Sequence, residues 1–313
     1  MIKNSKKNNT EEWANDCPYD RYFDFIKPKA DRYAILLERV KTLGFNSAVI
    51  TINGNNHIFI FPPRQKSLRA SGGVFPFKGQ EPYLFSAHYD RVPGSSGAND
   101  NSIAVFHLLN AALTLSRRMS GKWIIVFTDK EEIQPGESLE NQGAFSLALK
   151  LKTWGLEKAK IFNFDACGTG DVFIISTTTD HILKSSSNPG ITNVRSAIGR
   201  LRDHALATAD RLRFGNVLLA PTPFSDDAGF LRAGLAAQTI TMLPEEEAKK
   251  YETLLRSRPD FIDMIISGEV NTPLEKRKLP ETWRAMNNSS DTPSRLTPQY
   301  FQQVVKFMIE LVS

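Results

Sequence analysis

Trp123-Ile124-Ile125-Val126-Phe127-Thr128-Asp129-Lys130-Glu131-Glu132 carries the clearest fold signal in the chain. An apolar run without a polar break meets a knot of charges. A strand with one face in water would alternate apolar and polar residues. An unbroken run marks a strand covered on both faces, as in the parallel sheets of α/β proteins. Neighbouring segments repeat the pattern: Tyr83–Ala87 ahead of it, then Ile161–Phe164, Val172–Ser176, Val217–Ala220 and Ala236–Met242. Between them the spacing predicts helices over Ile103–Leu115 and Gly143–Trp154 and near Ala228–Ala233. Buried strands alternating with helices predict an α/β fold with a mostly parallel central sheet.

Outward from this centre the signals are more local. Tyr19–Leu43 reads as helical, with Tyr33, Leu36, Leu37 and Val40 at helical spacing and Gly44 as the stop. Ser47–Ile52 and His57–Phe61 flank Asn53-Gly54-Asn55-Asn56, the signature of a β-hairpin. Pro62–Gly79 is rich in Pro, Gly and basic residues and reads as a surface loop. Pro244–Arg284 reads as an inserted helix and loop beside the sheet, and Pro298–Leu311 as a closing amphipathic helix. The expectation is one domain over residues 1–313, with an N-terminal helical extension over about 1–45 and an inserted segment at about 244–284.

Composition narrows the class. The 313 residues carry a formal net charge of +5, with 41 % hydrophobic and 23 % charged residues. That is ordinary for a globular protein and excludes a disordered chain, a collagen or a coiled coil. No stretch approaches the roughly 18 uncharged apolar residues of a membrane helix, so no membrane partner is expected. Two cysteines, Cys17 and Cys167, cannot build a disulfide framework. The polar, basic start, Met1-Ile2-Lys3-Asn4-Ser5-Lys6-Lys7, has no apolar leader core, and a cytoplasmic location is expected. The pI near 9.1 reflects bases interleaved with acids, so a solvated basic surface is expected and no nucleic-acid partner.

The chemistry gathers where α/β sheets place it, just past the carboxyl ends of strands. Ser86-Ala87-His88-Tyr89-Asp90 sets His88 and Asp90 two apart, facing the same way in an extended segment. They can be a ligand and its orienting carboxylate, or an exposed strand-end pair. In Gly94-Ser95-Ser96-Gly97-Ala98-Asn99-Asp100-Asn101-Ser102, Asp100 stands at the entry to an apolar helix. It is either part of an ordinary cap or a carboxylate aimed back at His88. Glu131 and Glu132 are either a charged surface turn or a pair whose repulsion a cation relieves, one as ligand and one as general base. Asp165 follows the next apolar strand, and Cys167 beside it reads better as a small buried thiol than as a ligand. Together these pieces put one His and several carboxylates at successive strand ends, a donor set that suits zinc, manganese or cobalt in hydrolases.

The ordered set resembles the zinc aminopeptidases of the M28 type. The resembling stretches are Ala87-His88-Tyr89-Asp90, Gly94–Asn101, Asp129-Lys130-Glu131-Glu132, Phe164-Asp165, Ser225–Gly234 and Met286–Thr292, in the family's order from about Tyr83 to the C-terminus. The resemblance implies a mixed sheet with helices on both faces and one or two Zn2+ ions. It also implies that His88 and Asp165 bind one zinc, that Asp100 bridges two, and that Glu132 binds the second. Asp90 would orient His88 and Glu131 would be the general base. The family's last ligand is a histidine four residues before the Asp291-Thr292 pair, and here Asn287 stands in its place. An amide is a poorer zinc ligand than an imidazole, so the second site is the doubtful one. Asp227 stands where many relatives carry His. The other histidines, His57, His107, His181 and His204, match no metal motif.

The implied activity is a metal-dependent exopeptidase acting on peptides with a free N-terminus, the amine held by Asp226 or Asp227. A glutaminyl-cyclase-like acyl transfer is the second reading, although the single zinc of those enzymes depends on the histidine replaced by Asn287. A scaffold with a degenerate site is the third. Gly94-Ser95-Ser96-Gly97 lacks the spacing of a serine-hydrolase elbow, and Gly168-Thr169-Gly170 leads into a strand, not into the helix a nucleotide loop needs.

Overall fold

The computed structural model describes residues 19–65, 75–118, 121–134, 136–184, 188–267 and 272–312. Its strands are β1 (Asn46–Ile52), β2 (Asn55–Phe61), β3 (Tyr83–His88), β4 (Trp123–Thr128), β5 (Lys160–Phe164), β6 (Val172–Ser176), β7 (Val217–Ala220) and β8 (Ala237–Leu243). They form one 8-stranded sheet in the order β1-β2-β4-β3-β5-β8-β6-β7. The central run β4-β3-β5-β8 is parallel, and so is β6 with β7. The β1–β2 hairpin joins β4 antiparallel, and β6 pairs antiparallel with β8. The sheet is therefore mostly parallel, as the apolar runs predict, and mixed, as the resemblance implies.

The helices are α1 (Tyr22–Ile26), α2 (Arg32–Thr42), α3 (Ile103–Arg118), α4 (Gly143–Thr153), α5 (Thr178–Leu183), α6 (Pro189–Arg211) and α7 (Asp226–Arg232). They continue with α8 (Glu245–Ser257), α9 (Asp260–Ser267), α10 (Pro273–Lys276), α11 (Glu281–Ala285) and α12 (Phe301–Glu310). Strand residues alternate between two apolar layers. Ile58, Ile60, Trp123, Ile125 and Phe127 pack with α2, α3 and α12 through Leu36, Val40, Ile103, Leu108, Val304 and Phe307. Phe59, Phe61, Ile124 and Val126 pack on the other side with Leu147 and Leu151 of α4 and Phe230 of α7. A third cluster seats Tyr251, Phe261 and Trp283 against Val172, Ile174 and Leu243.

Some expectations need correction. Tyr19–Leu43 is not one helix. Lys27 is extended at φ −56° and ψ 145°, the conformation a following proline favours, and Pro28 ends α1. The chain restarts at Asp31, whose carboxylate accepts from the Ala34 N–H at 2.9 Å as a cap for α2. The hydropathy pattern assigns no element between Ser176 and Val217, yet α5 and α6 fill that interval, and α6 alone runs 23 residues. Its buried face is mostly small or polar, Ala205, Thr208 and Ala209 beside Ile198 and Leu201, so the apolar periodicity is faint. Pro244–Arg284 holds α8 to α11 rather than a single helix and loop. The closing helix begins at Phe301, after one tight turn at Pro298–Tyr300. Residues 66–74 of the expected surface loop, and residues 1–18 with Cys17, lie outside the described residues. Among the described residues no helix is long and apolar enough to cross a membrane.

Candidate metal centre

Sheet register brings the acidic strand ends to one edge. His88 lies opposite Thr128 across the parallel β3–β4 pair, and Ser86 lies opposite Asn163 across β3–β5. The segments after β3, β4 and β5 therefore open side by side, carrying Asp90, Glu131 with Glu132, and Asp165. Asp100 arrives from the turn Ala98–Ser102 that feeds α3. That turn is tied down on several sides. The Asp291 carboxylate accepts the backbone N–H of Asn99 at 2.8 Å and of Asp100 at 3.0 Å. Asn99 Oδ1 accepts from Gly168 N–H at 2.8 Å, and Asn101 Nδ2 donates to the Phe164 carbonyl at 2.8 Å. The turn is thereby locked to the loop that bears Asp165.

His88, Asp100 and Asp165 are buried, and one ligand atom from each lies within 4.8 Å of the others. His88 Nε2 stands 3.1 Å from Asp100 Oδ1 and 3.7 Å from Asp165 Oδ1. Neither His88 Nε2 nor Asp165 Oδ1 completes a hydrogen bond. Buried polar atoms left without partners are costly, and a cation among them removes that cost. One imidazole with carboxylates is a donor set suited to a divalent ion such as Zn2+. His88, Glu131 and Glu132 form a second group with ligand atoms within the same 4.8 Å limit.

Asp90 organises both sides. Its Oδ1 lies 3.3 Å from His88 Nδ1, and its two oxygens accept the backbone N–H of Glu131 at 3.1 Å and of Glu132 at 3.0 Å. The imidazole is thereby oriented and the loop after β4 is anchored. Lys130, at φ 56°, makes the left-handed bend that turns Glu131 and Glu132 back over the sheet edge. Gln142, just before α4, donates from Nε2 to Glu131 Oε1 at 3.0 Å. Sequence reasoning missed Gln142 and the clamp made by Asp291. A polar residue at a helix start and an Asp after an Asn-Ser run are weak signals, because their partners lie 11 and about 190 residues away.

The acids perturb one another. Burial pushes His88 down, but Asp100, Asp165, Asp90 and Glu131 outweigh it and hold the imidazole well above its ordinary value. Burial, with the charges of Glu132, Asp165 and Asp226, pushes Glu131 well up. Burial together with Asp100, Asp90 and Asp165 moves Glu132 up to about 8. Asp90 goes the other way: burial raises it, and His88 with the Glu132 and Glu131 amides more than reverses that. So much negative charge in one hollow favours a divalent cation.

Asn287 stands on the same cluster. With its nitrogen turned to the carboxylates, its side chain donates to Glu132 Oε1 at 2.6 Å, to Glu132 Oε2 at 3.0 Å and to Asp100 Oδ2 at 3.2 Å. Asp226 and Asp227 begin α7 and are hidden from solvent. Thr128 Oγ1 donates to Asp226 Oδ2 at 2.5 Å, and Ser225 N–H donates to Asp227 Oδ1 at 3.1 Å. Cys167 is a buried thiol that donates to the Ile240 carbonyl at 3.2 Å, outside either ligand group.

A family model, peptidase family M28, matches residues 73–312. Comparison with curated proteins gives no match. Among solved structures, the chain is similar to a leucine aminopeptidase precursor from Bacteroides thetaiotaomicron, at 15 % identity over 94 % of this chain and 93 % of that one, with a TM-score of 0.58. It is similar to Porphyromonas gingivalis glutaminyl cyclase, at 15 % identity over 93 % of this chain and 94 % of that one, with a TM-score of 0.59. A zinc aminopeptidase from Bacillus subtilis is 18 % identical over 82 % of this chain, with a TM-score of 0.48, and the chain spans 49 % of that protein's length. The likeness to the first two, at 15 % identity, shows the fold.

Proposed function

This chain belongs to peptidase family M28, and on that premise we propose that it is a metal-dependent exopeptidase releasing residues from the free N-terminus of peptides. One observation carries the reading: His88, Asp100 and Asp165 present converging ligand atoms, with His88 Nε2 and Asp165 Oδ1 lacking any other partner. These residues would hold Zn2+, which would supply Lewis acidity toward a scissile carbonyl and would lower the pKa of water toward neutrality.

The chain's own residues do the rest. Asp90 Oδ1, 3.3 Å from His88 Nδ1, is assigned to orient the imidazole so that Nε2 faces Asp100 and Asp165. Glu131 is assigned as the general base, taking a proton from water on its carboxylate and passing it to the leaving amine. Gln142 holds Oε1 of Glu131 in one orientation, and burial raises its proton affinity from the ordinary carboxylate range. Asp226 and Asp227, at the start of α7, are assigned to the substrate's free amine.

We assign one cation, not two. The bonds available from the Asn287 amide to Glu132 and Asp100 support this, because they occupy the side where a second ion would need an imidazole. The test is metal content alongside hydrolysis of aminoacyl nitroanilides. About one zinc per chain is expected, with activity lost to a chelator and restored by Zn2+. Glu131→Gln should keep its metal and lose at least ~100-fold in kcat. Release of ammonia from a glutaminyl peptide without hydrolysis would favour a cyclase. Purified protein with no metal and no turnover would favour a scaffold and overturn the reading.

A further inference from the structure

Arg32 is the first residue of α2, in the part of the chain ahead of the family-matched residues 73–312. Only 6 % of it is exposed. Among the described residues no carboxylate forms an ion pair with it. Its guanidinium is spent on backbone instead. Nε donates to the Phe25 carbonyl at 3.3 Å, and Nη1 to those of Tyr89 at 2.9 Å and Asp90 at 2.7 Å. Nη2 donates to the carbonyls of Ser96 at 3.2 Å and Gly97 at 3.0 Å, and to Ser102 Oγ. The group lies 4.5 Å from the centre of the Phe25 ring.

A buried charge without an ionic partner is costly, so this one persists only where its hydrogen bonds compensate. The planar fork of arginine can reach several carbonyls at fixed angles, which a lysine cannot. The carbonyls it joins are informative. Tyr89 and Asp90 directly follow His88, and Ser96 and Gly97 lead into the turn that carries Asp100. Gly97, at φ 59°, makes room for the contact, since a Cβ there would meet Arg32 Nη2 at 2.8 Å and the Asp100 carbonyl at 2.7 Å. Arg91 ties the same loop back to the end of α1, donating to the carbonyls of Ile26 at 3.0 Å and Lys27 at 2.7 Å.

We infer that Arg32 is a positioning residue of the metal centre: its guanidinium sets the distance between the strand end bearing His88 and Asp90 and the turn bearing Asp100. The N-terminal helix pair is then a working part of the site, although it lies outside the matched family region. This rests on the metal reading proposed above.

Charge and geometry act in opposite directions, which makes the inference testable. If Arg32 mattered only as a positive charge near the acids, Arg32→Met would bind Zn2+ more tightly and Arg32→Lys would match the wild type. If the fork sets the ligand spacing, both variants bind more weakly, by about 10-fold or more, as for other residues that orient metal ligands. Zn2+ affinity is measured by competition with a chromophoric chelator, and ligand geometry by the visible spectrum of the Co2+-loaded protein. Leu36→Ala, a buried α2 position 1 % exposed whose apolar side chain hydrogen-bonds to neither loop, serves as a control that destabilises the helix. It should keep wild-type affinity and spectrum while folded. Should Arg32→Met fail to fold, Arg32→Lys decides, since it keeps the charge and loses the planar fork, and the same weakening is expected. Wild-type affinity and spectrum in the Arg32 variants would overturn the inference alone. Failure of the wild-type chain to bind Zn2+ would overturn it together with the metal reading.

Discussion

A side-chain amide has a donor end and an acceptor end of the same shape, so Asn287 can meet the carboxylates of Glu132 and Asp100 in two ways. With oxygen inward it faces like partners and needs a cation between them. With nitrogen inward it bonds both acids directly, at 2.6 to 3.2 Å. Asn287→His removes that donor and adds an imidazole beside Glu132, so zinc content should rise from about one toward two per chain, read by elemental analysis. An unchanged content would show that the amide does not set the count. Asp90 offers a second check at this scale. Asp90→Asn keeps its size but weakens the hold on His88 and on the Glu131 and Glu132 amides, so Zn2+ affinity should fall about 10- to 100-fold. His88, Asp90 and the acids were legible because each directly follows an apolar strand or opens a helix. Gln142, Asp291 and Arg32 were not, because hydrogen bonds to loops distant in sequence leave no local pattern.

Elements bring these residues together, and their burial sets the pH response. His107 lies on α3 with Nδ1 2.8 Å from the Tyr19 hydroxyl and Nε2 3.2 Å from the Cys167 carbonyl. Burial pushes its pKa down to about 3. A histidine neutral in the fold but free to charge when unfolded lets the unfolded state bind the extra proton. Stability then falls as pH drops through the ordinary histidine range, by about 2 kcal/mol between pH 7 and pH 5 for this group. Urea unfolding of wild type and His107→Leu should isolate this loss: the variant is less stable at pH 7, and its deficit shrinks by about 2 kcal/mol at pH 5. The start of α4 offers a steric test. A Cβ on Gly143 would lie 1.8 Å from the Asp129 carbonyl oxygen, so Gly143→Ala should cost about 3 kcal/mol by the same assay. Strands and the larger apolar helices were readable from period and length. α6 was not, because small and polar residues line its buried face and packing, not hydropathy, holds it.

Across the whole molecule, one sheet separates two apolar layers and leaves the carboxyl ends of β3, β4 and β5 to share one hollow. A cation bound only by the folded chain stabilises it by mass action, about 2.7 kcal/mol at a hundredfold excess over Kd. Zn2+ should therefore raise the thermal midpoint by several degrees and a chelator should reverse it. No shift at saturating Zn2+ would count against the centre. The α/β class, the succession of the central strands along the chain, and the acids at their ends can be read from the residues alone. Those follow from hydrophobic periodicity and chain connectivity, which are local. The convergence of the acids, the bracing of their loops by Arg32 of α2, and the place of Asn287 against Glu132 and Asp100 emerge only in the folded chain. Strand order across a sheet, and the hydrogen bonds that lock its loops, depend on contacts between residues far apart in the chain.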